Sequence, residues 1–167
     1  MKYGYIRVSS KSQDESSLER RWNMKMYKKI IPETDEKNYI SGWEALNIPD
    51  EKGNIADWHP KSYLFSNIPD EKISLYNTIN ILGNKGISQR VIDYPERKKV
   101  YIANFPRAIA DLLITMPDYE FSSLYKCRED FLTEEESEEL YGYLSVVKER
   151  KRIDDFLKYE FTDKYFG

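Results

Sequence analysis

Near the start of the chain, Arg7, Ser9 and Gln13 are of types and at spacings that could support chemistry. Arg7 lies inside a short apolar run from Tyr3 to Val8, and two serines follow that run. A serine hydroxyl is a weak nucleophile unless a base activates it or cations stabilise the charge of the transition state. Arginine suits attack on a phosphodiester, because the guanidinium binds phosphate in a bidentate manner. The pattern therefore indicates a nucleophile or a phosphate contact at the serines that end the run.

Residues 1–21 resemble the start of the serine recombinases, the resolvases and invertases, in which the serine after Arg-Val attacks a DNA phosphate. The resemblance implies catalytic roles for the three residues above, and it covers 21 of 167 residues. Beyond it the family's arginines have no counterpart, since no arginine lies between Arg21 and Arg90 and no Asp-Arg pair occurs. Removing several such charges, at about 3 kcal/mol each, would abolish a useful rate. A chimeric gene that retains a recombinase opening is the simplest interpretation.

A second, fainter resemblance covers residues 99–113, which are similar to a segment of the abortive-infection antitoxins. Those proteins are paired with a nucleotidyltransferase toxin. Taken without the resemblance, the same residues predict a strand, a proline-started turn and an amphipathic helix. Arg107 and Asp111 are spaced i, i+4 in that helix, which predicts a surface ion pair. Arg107 is also a candidate partner contact.

The composition is that of a soluble globular protein, with 40% hydrophobic and 33% charged residues. The net charge of −3 disfavours nucleic-acid binding by the whole surface, although a local basic patch stays open. A single cysteine, Cys127, excludes an internal disulfide and a paired-cysteine zinc site, and it favours the cytoplasm. We expect no membrane span and no signal peptide, because no apolar run is long enough. No cofactor and no metal site are expected.

The order of elements predicts a single α/β (α+β) domain over residues 1–167, with a small sheet and a predominantly helical C-terminal half. Residues 1–31 are expected to form a recombinase-like strand and helix, the helix ending at Pro32. A helix is predicted from Pro69 to Leu82 and another from Tyr119 to Phe131. Further strands are predicted at 61–66, 91–94 and 99–103. Further helices are predicted at 107–114, around 153–157, and from Thr133, where Thr133 and Glu136 form a capping box.

The middle of the chain holds the aromatic and histidine candidates. Trp43 and Trp58 are expected to form part of one core edge, or else an exposed pair that anchors a partner. His59 is the only histidine, and a structural or surface role is favoured for it. The hexapeptide at 47–52 recurs at 67–72, and since its flanks do not repeat, convergent turn chemistry explains it better than a duplicated module.

These residues lead to three alternative hypotheses about function. The favoured one is a non-enzymatic, protein-binding regulator of a mobile element or phage, antitoxin-like or an inhibitor, with a protein partner. The alternative is a degenerate serine recombinase that acts on DNA through Ser9. The third is a metal-dependent hydrolase or nuclease that uses Asp50, Asp57 and Asp70 with His59.

Overall fold

The computed structural model describes residues 25–78, 81–117, 122–148 and 150–167. Within these ranges the fold is mixed α/β, with the strands before residue 104 and mostly helices after it, which confirms the predicted class. The strands are β1 (Tyr27–Lys28), β2 (Asn38–Tyr39), β3 (Phe65–Ser66), β4 (Tyr76–Asn77), β5 (Ile87–Ile92) and β6 (Lys98–Ala103). The helices are α1 (Gly42–Leu46), α2 (Pro60–Tyr63), α3 (Phe105–Thr115), α4 (Cys127–Asp130), α5 (Glu134–Ser145), α6 (Lys151–Glu160) and α7 (Thr162–Tyr165).

The longest strands, β5 and β6, form an antiparallel hairpin whose register pairs Arg90 with Val100. The predicted hairpin is therefore confirmed, although β5 begins at Ile87 rather than at Val91. The chain just after β2 lies along the other edge of β6, where Ile40 donates its N–H to Tyr101 at 3.0 Å. The alternation of buried and exposed residues in β6 directs one face of the hairpin into the core.

Helix α3 lies at the centre of the fold and is buried at nearly every position. The Asn104 side chain caps it by accepting the Arg107 N–H at 3.0 Å, and Pro106 occupies the first turn. It packs against α1, α5 and β6. Helix α5 begins with the predicted capping box, in which Thr133 and Glu136 bond each other's backbone N–H groups.

Two predicted helices are wrong where the structure describes them. Residues 25–31 contain β1 rather than the end of a helix, and Ile30 donates its N–H to Glu71 at 2.8 Å. Residues 69–78 contain β4, and Ile73 donates back to Ile30 at 2.9 Å. β-branched residues favour such extended pairing over a helix, and the left-handed backbone of Asp70 (φ 60°) interrupts any helix there.

Two other predictions need correction. The sequence predicts a strand at residues 61–66, but α2 occupies the first half of that range and only β3 at its end is extended. In the predicted helix from Tyr119 to Phe131, the described part holds a short 3₁₀ turn at 122–124 and then α4. Lys126 between them is left-handed, with φ 69°, so one helix cannot continue through it.

The buried apolar side chains form one cluster that extends from Ile31 to Phe161. It brings the hairpin and helices α1, α3, α5 and α6 together. In the part of the chain that the structure describes, no helix is long and apolar enough to cross a membrane.

Candidate functional site

A buried carboxylate on α3, Asp111, is the centre of a closed hydrogen-bond network. Arg107 donates from Nε to its Oδ1 at 2.9 Å. The Tyr39 and Ser41 hydroxyls donate to its Oδ2 at 2.8 and 2.7 Å. The side chains of Arg107 and Asp111 are both 0% exposed. A buried charge is tolerated only when it is paired and hydrogen-bonded, and this one is both.

The guanidinium of Arg107 is also held on its other sides. It donates from Nη2 to the Tyr39 hydroxyl at 2.7 Å and from Nη1 to the Lys85 carbonyl at 2.5 Å. Burial, followed by the nearby Asp111 charge, raises the pKa of Tyr39, so this hydroxyl stays a neutral donor. Gly86 has φ 72°, and a Cβ there would lie 2.7 Å from the Arg107 Cβ, so the close approach requires glycine.

The predicted surface ion pair between Arg107 and Asp111 is therefore wrong. The i, i+4 spacing is right, but the helix that carries it is covered on almost all sides, so the pair lies in the core. Arg107 as a partner contact is corrected for the same reason, since its side chain has no exposed area on this fold. The network joins β2, α3 and the turn at 85–86, which gives it a structural role.

A second buried carboxylate, Asp57, lies in the loop before α2. Its Oδ2 accepts Asn47 Nδ2 at 2.8 Å, and its Oδ1 lies 2.6 Å from His59 Nδ1. Asn47 also accepts the His59 backbone N–H on Oδ1 at 2.8 Å and donates to the Trp43 carbonyl at 2.8 Å. The Asp57 side chain is 6% exposed and the His59 ring 66% exposed. The carboxylate of this pair is therefore buried and hydrogen-bonded, whereas the imidazole is exposed.

Asn47 is the residue that fixes this loop, and sequence reasoning did not single it out. It follows α1 directly, and it is fully buried. It is the first residue of the repeated hexapeptide, whereas the equivalent Asn67 is exposed, so the two copies have different environments. A buried asparagine is costly unless its amide is satisfied, and here the loop from Asp57 to His59 satisfies it.

A cleft of about 640 Å³ lies beside His59 and is lined in part by helices α1 and α2. One wall is a stacked pair of rings, Trp43 on α1 and Tyr63 on α2, with centroids 5.5 Å apart and planes at 17°. The other lining residues are Asp57, His59, Ser122, Ser123 and Phe131. Its walls are mostly rings, and the described polar groups around it come from the Asp57–His59 pair, the Tyr63 hydroxyl and two serines.

Trp58 lies between Asp57 and His59, which the hydrogen bonds of Asn47 hold in place, and it is 81% exposed. The expectation that Trp43 and Trp58 share a core edge is therefore wrong for Trp58. Trp43 is half-buried and stacks on Tyr63. The alternative expectation of an exposed pair holds for Trp58 alone, because Trp43 is only partly exposed. We call Trp43, Trp58, His59 and Tyr63 together the Trp58 surface.

Of the carboxylates that could have formed a metal site with His59, Asp57 contacts the ring, but the described residues around this pair do not complete a ligand set. Asp50 accepts the backbone N–H groups of Lys52 and Asn54, at 2.8 and 2.7 Å, within its own turn. Among the described residues, no group of three or more histidine, cysteine or acidic side chains could hold a metal ion. The described residues therefore provide no site for the metal-dependent hydrolase hypothesis.

The recombinase candidates Arg7, Ser9 and Gln13 lie outside the described residues. The chain matched no family model, no curated protein and no solved structure in the comparisons with known proteins. The resemblances of residues 1–21 and 99–113 therefore stay predictions. The second segment forms most of strand β6, the Asn104 cap and most of α3, which are the strand and helix that its pattern predicts.

Proposed function

We propose that the chain is a non-enzymatic regulatory protein that binds a protein partner through the Trp58 surface. The observation that carries the proposal is an indole left 81% exposed between two residues that the Asn47 hydrogen bonds hold in place. Exposed aromatic anchors on fixed backbone are typical of interface hot spots. Single exposed apolar residues are common, so a second observation is needed. It is the ring-lined cleft, whose lining includes Asp57 and His59, the residues on either side of Trp58 in the sequence.

The gain available to such an anchor is large. Burying an aromatic side chain removes about 150–250 Å² from water, which at about 25 cal/mol per Å² corresponds to about 4–6 kcal/mol. Association and side-chain ordering subtract from that value. The loop is already held by Asn47, so little further ordering of its backbone is needed on binding.

The biological setting rests on the two resemblances. We assign the chain to a mobile element or phage, as an antitoxin-like protein or an inhibitor, and to the cytoplasm. The net charge of −3 supports a protein partner over DNA. The degenerate recombinase is the alternative, and trapping a covalent DNA adduct that Ser9→Ala removes would favour it.

The test compares Trp58→Ala with the matched control Phe166→Ala, which removes another exposed ring on a different element. Immobilised protein would capture partners from a lysate of cells that express the chain, and the captured protein would then be purified and titrated. We expect Trp58→Ala to weaken binding at least about 30-fold, the equivalent of about 2 kcal/mol, and Phe166→Ala to leave it unchanged. Both variants should keep the melting temperature of the original chain.

Two results would overturn the proposal. One is that no purified protein binds the unchanged chain with a measurable Kd. The other is that the partner binds Trp58→Ala as tightly as it binds the Phe166→Ala control.

A further inference from the structure

The hydrogen bonds of Asp57 decide which nitrogen of His59 carries the proton. Oδ1 of Asp57 lies 2.6 Å from Nδ1, and a carboxylate only accepts hydrogen bonds. Nδ1 must therefore be the protonated nitrogen. In the neutral imidazole, Nε2 then has no hydrogen and is an acceptor.

This acceptor is presented to the cleft. The ring of His59 is 66% exposed and lines the cleft, and the described part of the chain makes no hydrogen bond to Nε2. The bond to the buried carboxylate holds the ring in this orientation, because turning the ring over would break that bond and leave Oδ1 without its donor. The cleft thus combines a fixed acceptor with the rings of Trp43, Tyr63 and Phe131.

These two features select the shape and the polarity of an occupant. Ring walls favour a flat aromatic group, because offset-stacked and edge-to-face contacts are stronger than contacts with an aliphatic chain of similar area. A fixed acceptor favours a group that bears a hydrogen-bond donor, and it rejects a carboxylate while the imidazole is neutral. The volume of about 640 Å³ is ample for one aromatic side chain.

We propose that the cleft beside Trp58 binds a donor-bearing aromatic side chain of the protein partner, tyrosine or tryptophan, whose O–H or N–H donates to His59 Nε2. The inference rests on the proposed function and adds the chemistry of the partner. Trp58 is inserted into the partner, and the partner returns a ring into the cleft. His59 orients that ring and Trp43 supplies the surface on which it stacks.

The experiment uses two small probes, N-acetyl-tyrosinamide and N-acetyl-phenylalaninamide, which differ by one hydroxyl. Both are titrated into ¹⁵N-labelled protein at about pH 8. His59 is the only histidine, so its imidazole nitrogen signals are unambiguous. We expect the tyrosine probe to shift the Nε2 signal and to bind about 2–12-fold tighter, as one neutral hydrogen bond allows.

Two variants provide the controls. His59→Phe keeps a ring but removes the acceptor, so it should bind both probes equally. Trp43→Leu should weaken both probes and keep the preference for tyrosine. Near-UV circular dichroism confirms that each variant is folded.

The inference is overturned if neither probe shifts the Nε2 signal, if both probes bind equally, or if the preference survives in His59→Phe. These failures differ from failure of the proposed function, which is read from Trp58→Ala in partner binding. If that substitution abolishes partner binding while the probes show no preference, the proposed function stands and this inference falls. If the probes behave as expected while Trp58→Ala leaves partner binding intact, the cleft keeps its preference and the docking role falls.

Discussion

Asp111 and Asp57 are both buried carboxylates that hold a basic side chain of their own segment, and they differ in what that side chain reaches. Arg107, the partner of Asp111, is 0% exposed, and its donors go to protein acceptors on several sides. His59, the partner of Asp57, is 66% exposed and opens onto a cleft. The Asp111 pair therefore stabilises the core, whereas the Asp57 pair leaves its imidazole accessible.

Helix α1 connects the two networks. Ser41, which donates to Asp111, immediately precedes it, and Asn47, which donates to Asp57, immediately follows it. Its first residue, Gly42, has φ 61° and lies so close to the Tyr76 hydroxyl that a Cβ would be only 2.5 Å from it. A five-residue helix has little stability of its own, so these end contacts hold it in place. We therefore expect that removing a residue of the Asp111 network lowers the free energy of unfolding more than removing a residue of the Asp57 network.

The largest effect is expected from Arg107→Met. This change leaves the Asp111 carboxylate buried without its cation, and such a loss costs about 3–5 kcal/mol of unfolding free energy. Urea unfolding at pH 7 measures it. The matched control is Arg97→Met, which removes the cation of an exposed pair with Asp93 at the same separation of four residues and should cost at most about 1 kcal/mol. Equal losses in the two variants would remove the distinction between closed and exposed pairs.

An intermediate effect is expected from Asn47→Ala. The change removes the amide that joins Asp57, Trp43 and the His59 backbone, which should cost about 1–3 kcal/mol. Hydrogen exchange at the His59 amide should accelerate. Asn54→Ala, which alters an exposed asparagine in a neighbouring turn, is the control and should change stability by less than about 0.5 kcal/mol. Unchanged exchange at His59 in Asn47→Ala would show that Asn47 does not fix the loop.

The smallest effect concerns Glu44, in the middle of α1. Burial raises the pKa of Glu44 above its ordinary 4.5, and Lys29 offsets this only in part. The folded chain then holds a proton that the unfolded chain has released, so stability falls as the pH rises from 4.5 through the folded pKa. Glu44→Gln should therefore raise the melting temperature slightly at pH 7 and lose this advantage below pH 4.5. An advantage that is the same at both pH values would argue against a buried carboxyl at this position.

Local signals in the sequence were sufficient for the hairpin and for helices α3 and α5. Asn104 with Pro106, and Thr133 with Glu136, are short-range capping patterns, and the structure contains both caps. The predicted helices near residues 30 and 75 are wrong, because Ile30 donates its backbone N–H to Glu71 and accepts that of Ile73, both more than forty residues away. Helical spacing of apolar residues cannot reveal a partner that is so distant in the chain.

The site was only partly predictable for a similar reason. The spacing of Arg107 and Asp111 is visible in the sequence, but the depth of α3 in the core depends on what packs around it. Trp43, Trp58 and His59 were identified, whereas Asn47 and Tyr63 were not. Asn47 lies in a hexapeptide that occurs twice, and nothing within the hexapeptide distinguishes the buried copy from the exposed one. The Asp-Trp-His order at 57–59 was the available signal for an oriented histidine.

The state of the His59 ring tests the central claim most directly, namely that Asp57 fixes this histidine so that its acceptor faces the cleft. A long-range ¹H–¹⁵N correlation spectrum of the labelled protein at about pH 8 identifies which ring nitrogen carries the proton, and the chain has one histidine to observe. We predict a protonated Nδ1 and an unprotonated Nε2 in the unchanged chain. A protonated Nε2 with an unprotonated Nδ1 would contradict the account.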